Sequence, residues 1–326
     1  MVYDASASDT VKSLQYKLYK AEGFLHAKPT LTYEILDRDL EDIHQLKTPE
    51  QLKWLQTLLR ASVTLDNLSS IERASSQMLS MPELLEDTPK LVTTLSSLGI
   101  WLRKQGYLEE SLTLFNCALA QPITEHNQII SLKLSKGISF RNLGQSDKAY
   151  ELYNSALVEA QKSNALVYEG AILNSLGVLA LYDNDLKRAK NALRKALAIS
   201  QETSRRSGQT IAGLNLMLIA LIEHDDTMYN RLHASVRKLT LNAKNSDYQI
   251  YLHWLEKSKK KQLSNKLSDS EKTDLREKLS KLKSESLHNM LVERLSASLD
   301  IDVDLRSRTE RKYTGKLMQK LSFCHQ

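Results

Sequence analysis

The sequence is poor in the residues that staple, bend or anchor a chain: two cysteines, five prolines and ten glycines in 326 residues, with aromatic side chains at 6%. Neither Cys117 nor Cys324 has a sequence neighbour that suggests a disulfide framework or a metal site, so cysteine usage points to a reducing compartment. No apolar run approaches the roughly 18 residues that would argue for a membrane span. The N-terminal stretch MVYDASASDT has no basic region and no apolar core, and does not read as a secretory signal. A cytoplasmic location is therefore expected, with a periplasmic or other extracytoplasmic one as the alternative if a signal preceded this numbering.

Signatures of chemistry are missing too. The eight histidines are scattered, and no HExxH, CxxC or EF-hand spacing occurs. The glycines stand singly, which excludes a phosphate-cradling loop and a dinucleotide fingerprint, and no serine sits in a nucleophile elbow. The densest set of metal-ligating types, Glu223-His224-Asp225-Asp226, falls between two helical patterns and reads as a turn with caps. The acidic set Glu34, Asp37, Asp39, Glu41 and Asp42 lacks the glycine-centred spacing of a calcium loop and reads as a solvated helix face. The expectation is a protein that is not an enzyme, with no catalytic residue, no cofactor and no metal.

What is present is a repeat. From Val92 to Ile199 one helix-turn-helix pattern is written three times. Gly99, Gly137 and Gly177 fall in the first helices, 38 and 40 residues apart, and Gly106, Gly144 and Asn184 fall at the turns that follow. Ser111, Ala149 and Ala189 come next, then the bulky Phe115, Tyr153 and Leu193, then Ala118-Leu119, Ala156-Leu157 and Ala196-Leu197. Glycine inside a helix costs about 1 kcal/mol relative to alanine, so glycines at equivalent places imply a close helix crossing. The aromatic or leucine of the second helix fills the room they leave. At the turns the chain leaves the helix through a left-handed residue, a role glycine takes freely and asparagine better than most. Ser146 and the 183–185 segment supply caps for the helices that follow.

This pattern resembles the tetratricopeptide repeat family: Leu98-Gly99, Gly106-Tyr107, Ser111, Phe115 and Ala118 follow its signature in order in the first copy. Ala149, Tyr153 and Ala156 do so in the second, and Leu176-Gly177, Ala189 and Ala196 in the third. The period of about 40 exceeds the family's 34, so helices or connections are longer. The resemblance implies an all-α fold, a right-handed α-solenoid of antiparallel helix pairs with a concave face and a C-terminal capping helix, and it implies no reaction.

Weaker copies extend the array. Leu58 precedes Gly99 by 41 residues, with Pro49 opening its first helix and Ser70, Ala74 and Met78 on its second. Ala220-Leu221 follows Ala180-Leu181 by 40. The expected organisation is a repeat array over 1–249, basic capping helices over 250–299, including one long helix from Asp269 to Leu299, and a tail over 300–326 that is mobile, or else a docking tail. Leu299 to Leu305 alternates like a short strand. The net charge of +6 lies entirely from Ile250 onward, where 17 Lys and Arg face 11 Asp and Glu; the first 249 residues hold 28 of each. That excess suits a solvated, charge-laced helix, or a nucleic-acid-associated regulator as the alternative function.

In the resembled family the first helices line the groove. The corresponding positions here are Ser96, Ile100, Arg103, Lys104, Ile138, Arg141, Asn142, Asn174, Val178 and Tyr182. Apolar positions beside Arg, Lys and Asn donors suit a peptide or protein segment, an acidic one included, whereas nucleic acid is not the expected ligand. The expected role is a non-enzymatic interaction module, an adaptor, scaffold or sensory-regulatory protein, with its oligomeric state open.

Overall fold

The structure is a computed structural model that describes residues 5–243, 245–264, 266–306 and 311–325. Among these residues the regular structure is helical and no strand occurs, which establishes the all-α, helix-hairpin repeat architecture. The chain divides into two compact units, Met1–Ser139 with Glu310–Gln326, and Phe140–Thr309.

The first unit begins with α1 (Ala5–Phe24) and α2 (Pro29–Arg38), followed by a 3-10 turn (Leu40–Gln45). Then come α3 (Thr48–Leu65), α4 (Leu68–Met78), the short α5 (Glu83–Glu86), α6 (Thr88–Lys104), α7 (Leu108–Leu119) and α8 (His126–Asn142), within which the division falls. The first helix α3 packs on its own partner α4 and on the next first helix α6, which in turn packs on α7. Apolar positions at helical spacing build the core: Leu36, Trp54, Leu58, Leu95, Leu98 and Phe115 are fully buried. The Trp54 indole N–H is satisfied by the Leu36 carbonyl at 3.1 Å.

The second unit holds α9 (Ser146–Lys162), α10 (Leu166–Tyr182), α11 (Leu186–Glu202), α12 (Arg206–Ile222), α13 (Asp226–Asn242), α14 (Ser246–Ser264) and α15 (Asp269–Ser280). After these come α16 (Glu285–Leu291), a π turn (Val292–Ser296) and α17 (Ala297–Leu299). Its core gathers Leu214, Leu218, Tyr251, Trp254, Leu275 and Leu291. The Trp254 indole donates to the Leu275 carbonyl at 3.3 Å.

The repeat is written in the backbone more regularly than in the side chains. Asp66, Gly106, Gly144, Asn184 and His224 all have positive φ, at 59°, 85°, 77°, 60° and 54°, in steps of 40, 38, 40 and 40 residues. After each, the next N–H closes back on the helix: Asn67 to Ser62, Tyr107 to Leu102, Gln145 to Phe140, Asp185 to Ala180 and Asp225 to Ala220, at 2.8–2.9 Å. The turn reading of 223–226 thus holds. Three of the second helices, α4, α11 and α13, open on amide or carboxylate caps, with Asn67, Asp185 and Asp225 accepting from the N–H of Ser70, Arg188 and Met228, whereas Tyr107 before α7 makes no such bond. Ser146 is not a cap; it is the first residue of α9, and the cap position falls on Gln145, which makes no side-chain cap bond.

The small residues sit where the spacing requires. Gly99, Gly137, Gly177, Ser111, Ala118, Ala149, Ala156, Ala189 and Ala196 are buried. A Cβ on Gly99 would lie 2.8 Å from the Phe115 ring, and one on Gly177 would lie 2.6 Å from Leu193.

The long helix expected from Asp269 to Leu299 is broken. The Asp247 carboxylate accepts from the N–H groups of Lys283 and Ser284, at 3.1 and 3.0 Å, and the Ser284 hydroxyl then caps α16. A polar group on another helix therefore interrupts a leucine stripe that is continuous in sequence. Residues 301–306 carry no strand; Ile301 is buried, and Asp300 just before it is in the left-handed region and ion-paired to Lys261 at 2.6 Å.

The C-terminal residues fold back onto the first unit. Helix α18 (Lys316–Lys320) packs on α4, and the 3-10 turn Ser322–His325 packs on α7. Leu317 and Leu321 are buried. Tyr313 stands edge-on to Trp101 and Tyr107, with centroids at 5.4 and 5.2 Å, and its N–H donates to Glu110 at 2.9 Å. Cys324 is disulfide-bonded to Cys117, across 207 residues of sequence. Of the two readings of the tail, mobile or docking, the packed segment 311–325 corresponds to the docking one, and the bridge stands where the cysteine spacing suggests free thiols. Neither the place of docking nor the bridge is visible along the sequence, because only the fold brings the chain end to α7.

Candidate functional site

The first helices, α3, α6 and α8 in one unit and α10, α12 and α14 in the other, are laced by polar side chains that reach about one period along the chain. Gln56 donates to the Lys90 carbonyl at 2.9 Å, Gln128 to the Pro89 carbonyl at 3.2 Å, and Gln262 to the Leu221 carbonyl at 2.9 Å. The Lys104 ammonium donates to the Val63 carbonyl, in the last turn of α3, at 2.9 Å. A cation there meets both an orphan carbonyl and the negative pole of the helix.

In the first unit, Ser96, Ile100, Arg103 and Ile138 are half-buried and Lys104 is exposed. Ile100 and Lys104 line a cleft of about 170 Å³ with Leu25, His26, Arg60, Val63, Thr64 and Ser97. Its lining includes three basic side chains and no carboxylate. Ser96, Arg103 and Ile138 are not among its walls. His26 and Arg60 are not among the positions expected from the sequence: matching Leu58 to Gly99 puts Arg60 at Trp101, a buried position, whereas the 40-residue step of the turns puts it at Ile100 on the groove side. Lys133 and Lys136 on α8 add two half-buried cations, and burial holds the Lys136 ammonium below the usual lysine range.

A wider cleft of about 390 Å³ in the same unit is lined by Glu41, His44, Arg73, Ser76 and Lys320 among others. Its cations are internally bonded, Arg73 to Asp37 at 2.5 Å and Lys320 to Ser76 at 2.6 Å. Asp37, from the acidic set, is thus an ion-pair partner, as is Asp39, which Lys17 reaches at 2.8 Å. No group of three His, Cys, Asp or Glu among the described residues is arranged to hold a metal ion.

In the second unit, Arg141, Asn142, Asn174, Val178 and Tyr182 are all half-buried. Arg141 donates to Asn142 at 3.4 Å. Asn174, Val178 and Tyr182 follow one another at one-turn spacing along α10. Asn174 accepts from the buried Asn215 at 3.3 Å, whose carbonyl oxygen accepts from the Tyr251 hydroxyl at 3.1 Å. Burial pushes the Tyr251 hydroxyl well above the usual tyrosine range, so it remains a donor. The Tyr182 hydroxyl donates to the Ser286 carbonyl at 2.9 Å. Asn174 and Tyr182, both expected to meet a partner, are therefore engaged inside the chain, as are Arg141 with Asn142 and Lys104 with the Val63 carbonyl.

No protein-family model matches the sequence, and no curated protein matches it. Solved structures do. BtubC (BKLC) from P. vanneervenii is similar at 16% identity and a TM-score of 0.50, over 72% of this chain and 91% of that one. A Rap protein complexed with competence and sporulation factor gives 14% and 0.48, over 88% and 92%, and the apo form of RapI gives 11% and 0.41, over 82% and 85%. At such identities the likeness is one of fold.

Proposed function

We propose that the chain is a tetratricopeptide-like, non-enzymatic interaction module whose first-helix faces hold a segment of a partner protein, as in an adaptor or the sensing part of a signalling system. The observation that carries this reading is the cleft between the turn that follows α1 and the helices α3 and α6. There His26, Arg60 and Lys104 stand around apolar walls from Leu25, Val63 and Ile100 with no carboxylate in the lining. That combination suits an acidic segment with apolar anchors. Charge reversal tests it, with Arg103→Glu and Lys104→Glu together in the first unit and Arg141→Glu separately in the second. At least one set lowers partner capture by about tenfold, near 1.4 kcal/mol, with helix content at the assay temperature unchanged. Full capture by both sets removes the assignment.

The nucleic-acid alternative has less support. The cations of the 257–261 run face acids of the same unit: Lys257 and Lys260 reach Glu271 at 2.5 and 2.6 Å, Lys259 pairs with Asp226 and Lys261 with Asp300. The hydrogen bonds from Lys257 and then Lys260 hold the Glu271 carboxyl down to about 2, so it is ionised throughout the physiological range and offsets them. No helix among the described residues is long and apolar enough to cross a membrane. Of the two compartments considered, the Cys117–Cys324 bridge supports the oxidising one.

A further inference from the structure

A cap needs to cover only the last first helix, α14, and the segment after α15 does touch α14. It also reaches α10, two first helices earlier. The Tyr182 hydroxyl donates to Ser286, and the Arg294 guanidinium donates to the Leu181 carbonyl at 2.5 Å and to Asn184 at 2.7 Å. Between those ends, Leu287, Met290, Leu291, Leu295 and Leu299 belong to one apolar cluster with Leu181, Leu218, Leu221 and Leu255. The segment thus spans from α14 to α10 with α12 between them, and it covers Tyr182.

Two details set it apart from an ordinary continuation of the array. The Leu181 carbonyl lies in the last turn of α10, where beside the Asn184 N–H at 3.2 Å it takes a second, side-chain donor, as the Val63 carbonyl takes Lys104 and the Leu221 carbonyl takes Gln262 from a neighbouring repeat. Here the donor comes from 113 residues away. The helix carrying it also changes to a π turn at 292–296, around Arg294 itself, and such turns form where a helix gives up regularity for a specific contact.

We infer that the first-helix surface of α10, α12 and α14 near Tyr182 is a receiving site for an amphipathic helix, and that residues 285–299 occupy it as an internal ligand which a partner helix displaces. The partner chemistry follows from the occupant: apolar residues at helical spacing, as at Leu287, Leu291 and Leu295, with an arginine beside the stripe that caps the end of α10. This rests on the reading that first-helix faces hold partners, and names the partner class for the second unit.

Hydrogen exchange on the full chain is the first test. A displaceable segment opens without the core, so amides of 285–299 exchange at least about tenfold faster than those of α12 and α14; exchange in step with α14 makes the segment an integral part of the core and overturns the inference. The second test uses Arg294→Ala in the full chain, which removes the hydrogen bonds to Leu181 and Asn184 and leaves the Tyr182 contact and the buried leucines in place. A labelled peptide of residues 283–303 binds this variant at least about tenfold more tightly than the unaltered protein, and the same peptide carrying Arg294→Ala does not. Equal binding to both proteins, or none to the variant, overturns it. If these fail while the Arg103 and Lys104 reversals still abolish capture, the internal ligand is lost and the interaction module stands.

Discussion

Gly99 and Gly177 show what a single methylene decides in this chain. Each is fully enclosed against the residue one helix on, so a side chain at Gly177 must move Leu193 or part α10 from α11. Gly177→Val is expected to lose about 2–3 kcal/mol in denaturant melts through overpacking. Adding Leu193→Ala recovers part of it, with a coupling energy of about 1 kcal/mol or more in a double-mutant cycle. Strict additivity would show that the two do not share one space. These positions were legible in the sequence because small residues recur at a fixed spacing for one steric reason. The left-handed turns were legible only where glycine or asparagine occupies them. Asp66 and His224 adopt the same conformation, which their residue types favour only relative to other non-glycine residues. At Asp66 the carboxylate is held by Gln105 at 2.5 Å, a contact that appears only once neighbouring first helices are side by side.

At the scale of elements, periodicity placed the helices well as far as α14 and failed where one element is interrupted or recruited by another. The leucine stripe from Leu275 to Leu295 predicts one helix; Asp247, some 36 residues upstream, breaks it by binding two backbone N–H groups. The C-terminal segment has no repeat signature, yet Tyr313, Leu317 and Leu321 give it a packed face and Cys324 ties it to α7. Closing so long a loop restricts the unfolded chain strongly, so Cys324→Ser is expected to lower stability by roughly 2–4 kcal/mol without reductant. Reductant brings the unaltered protein to the same Tm and leaves the variant where it was. Two titratable thiols in protein from its native compartment would contradict the bridge.

At the scale of the molecule, the first helices carry the half-buried polar and basic residues, and the second helices carry the bulky fillers that hold each pair together. Two of the eight residues that line the cleft were legible for that reason: the sequence assigns positions to the first-helix face, and Ile100 and Lys104 are among them. It does not reveal which of those side chains the chain uses itself, as Asn174 and Tyr182 are used, because their partners Asn215 and Ser286 lie outside any local pattern. The central claim is that partners meet first helices. The most direct measurement is hydrogen-exchange footprinting of the protein with and without a captured partner. Protection is predicted on the first helices of at least one unit, α3, α6 and α8 or α10, α12 and α14, with exchange in α4, α7, α9, α11 and α13 unchanged; protection confined to the second helices would contradict it.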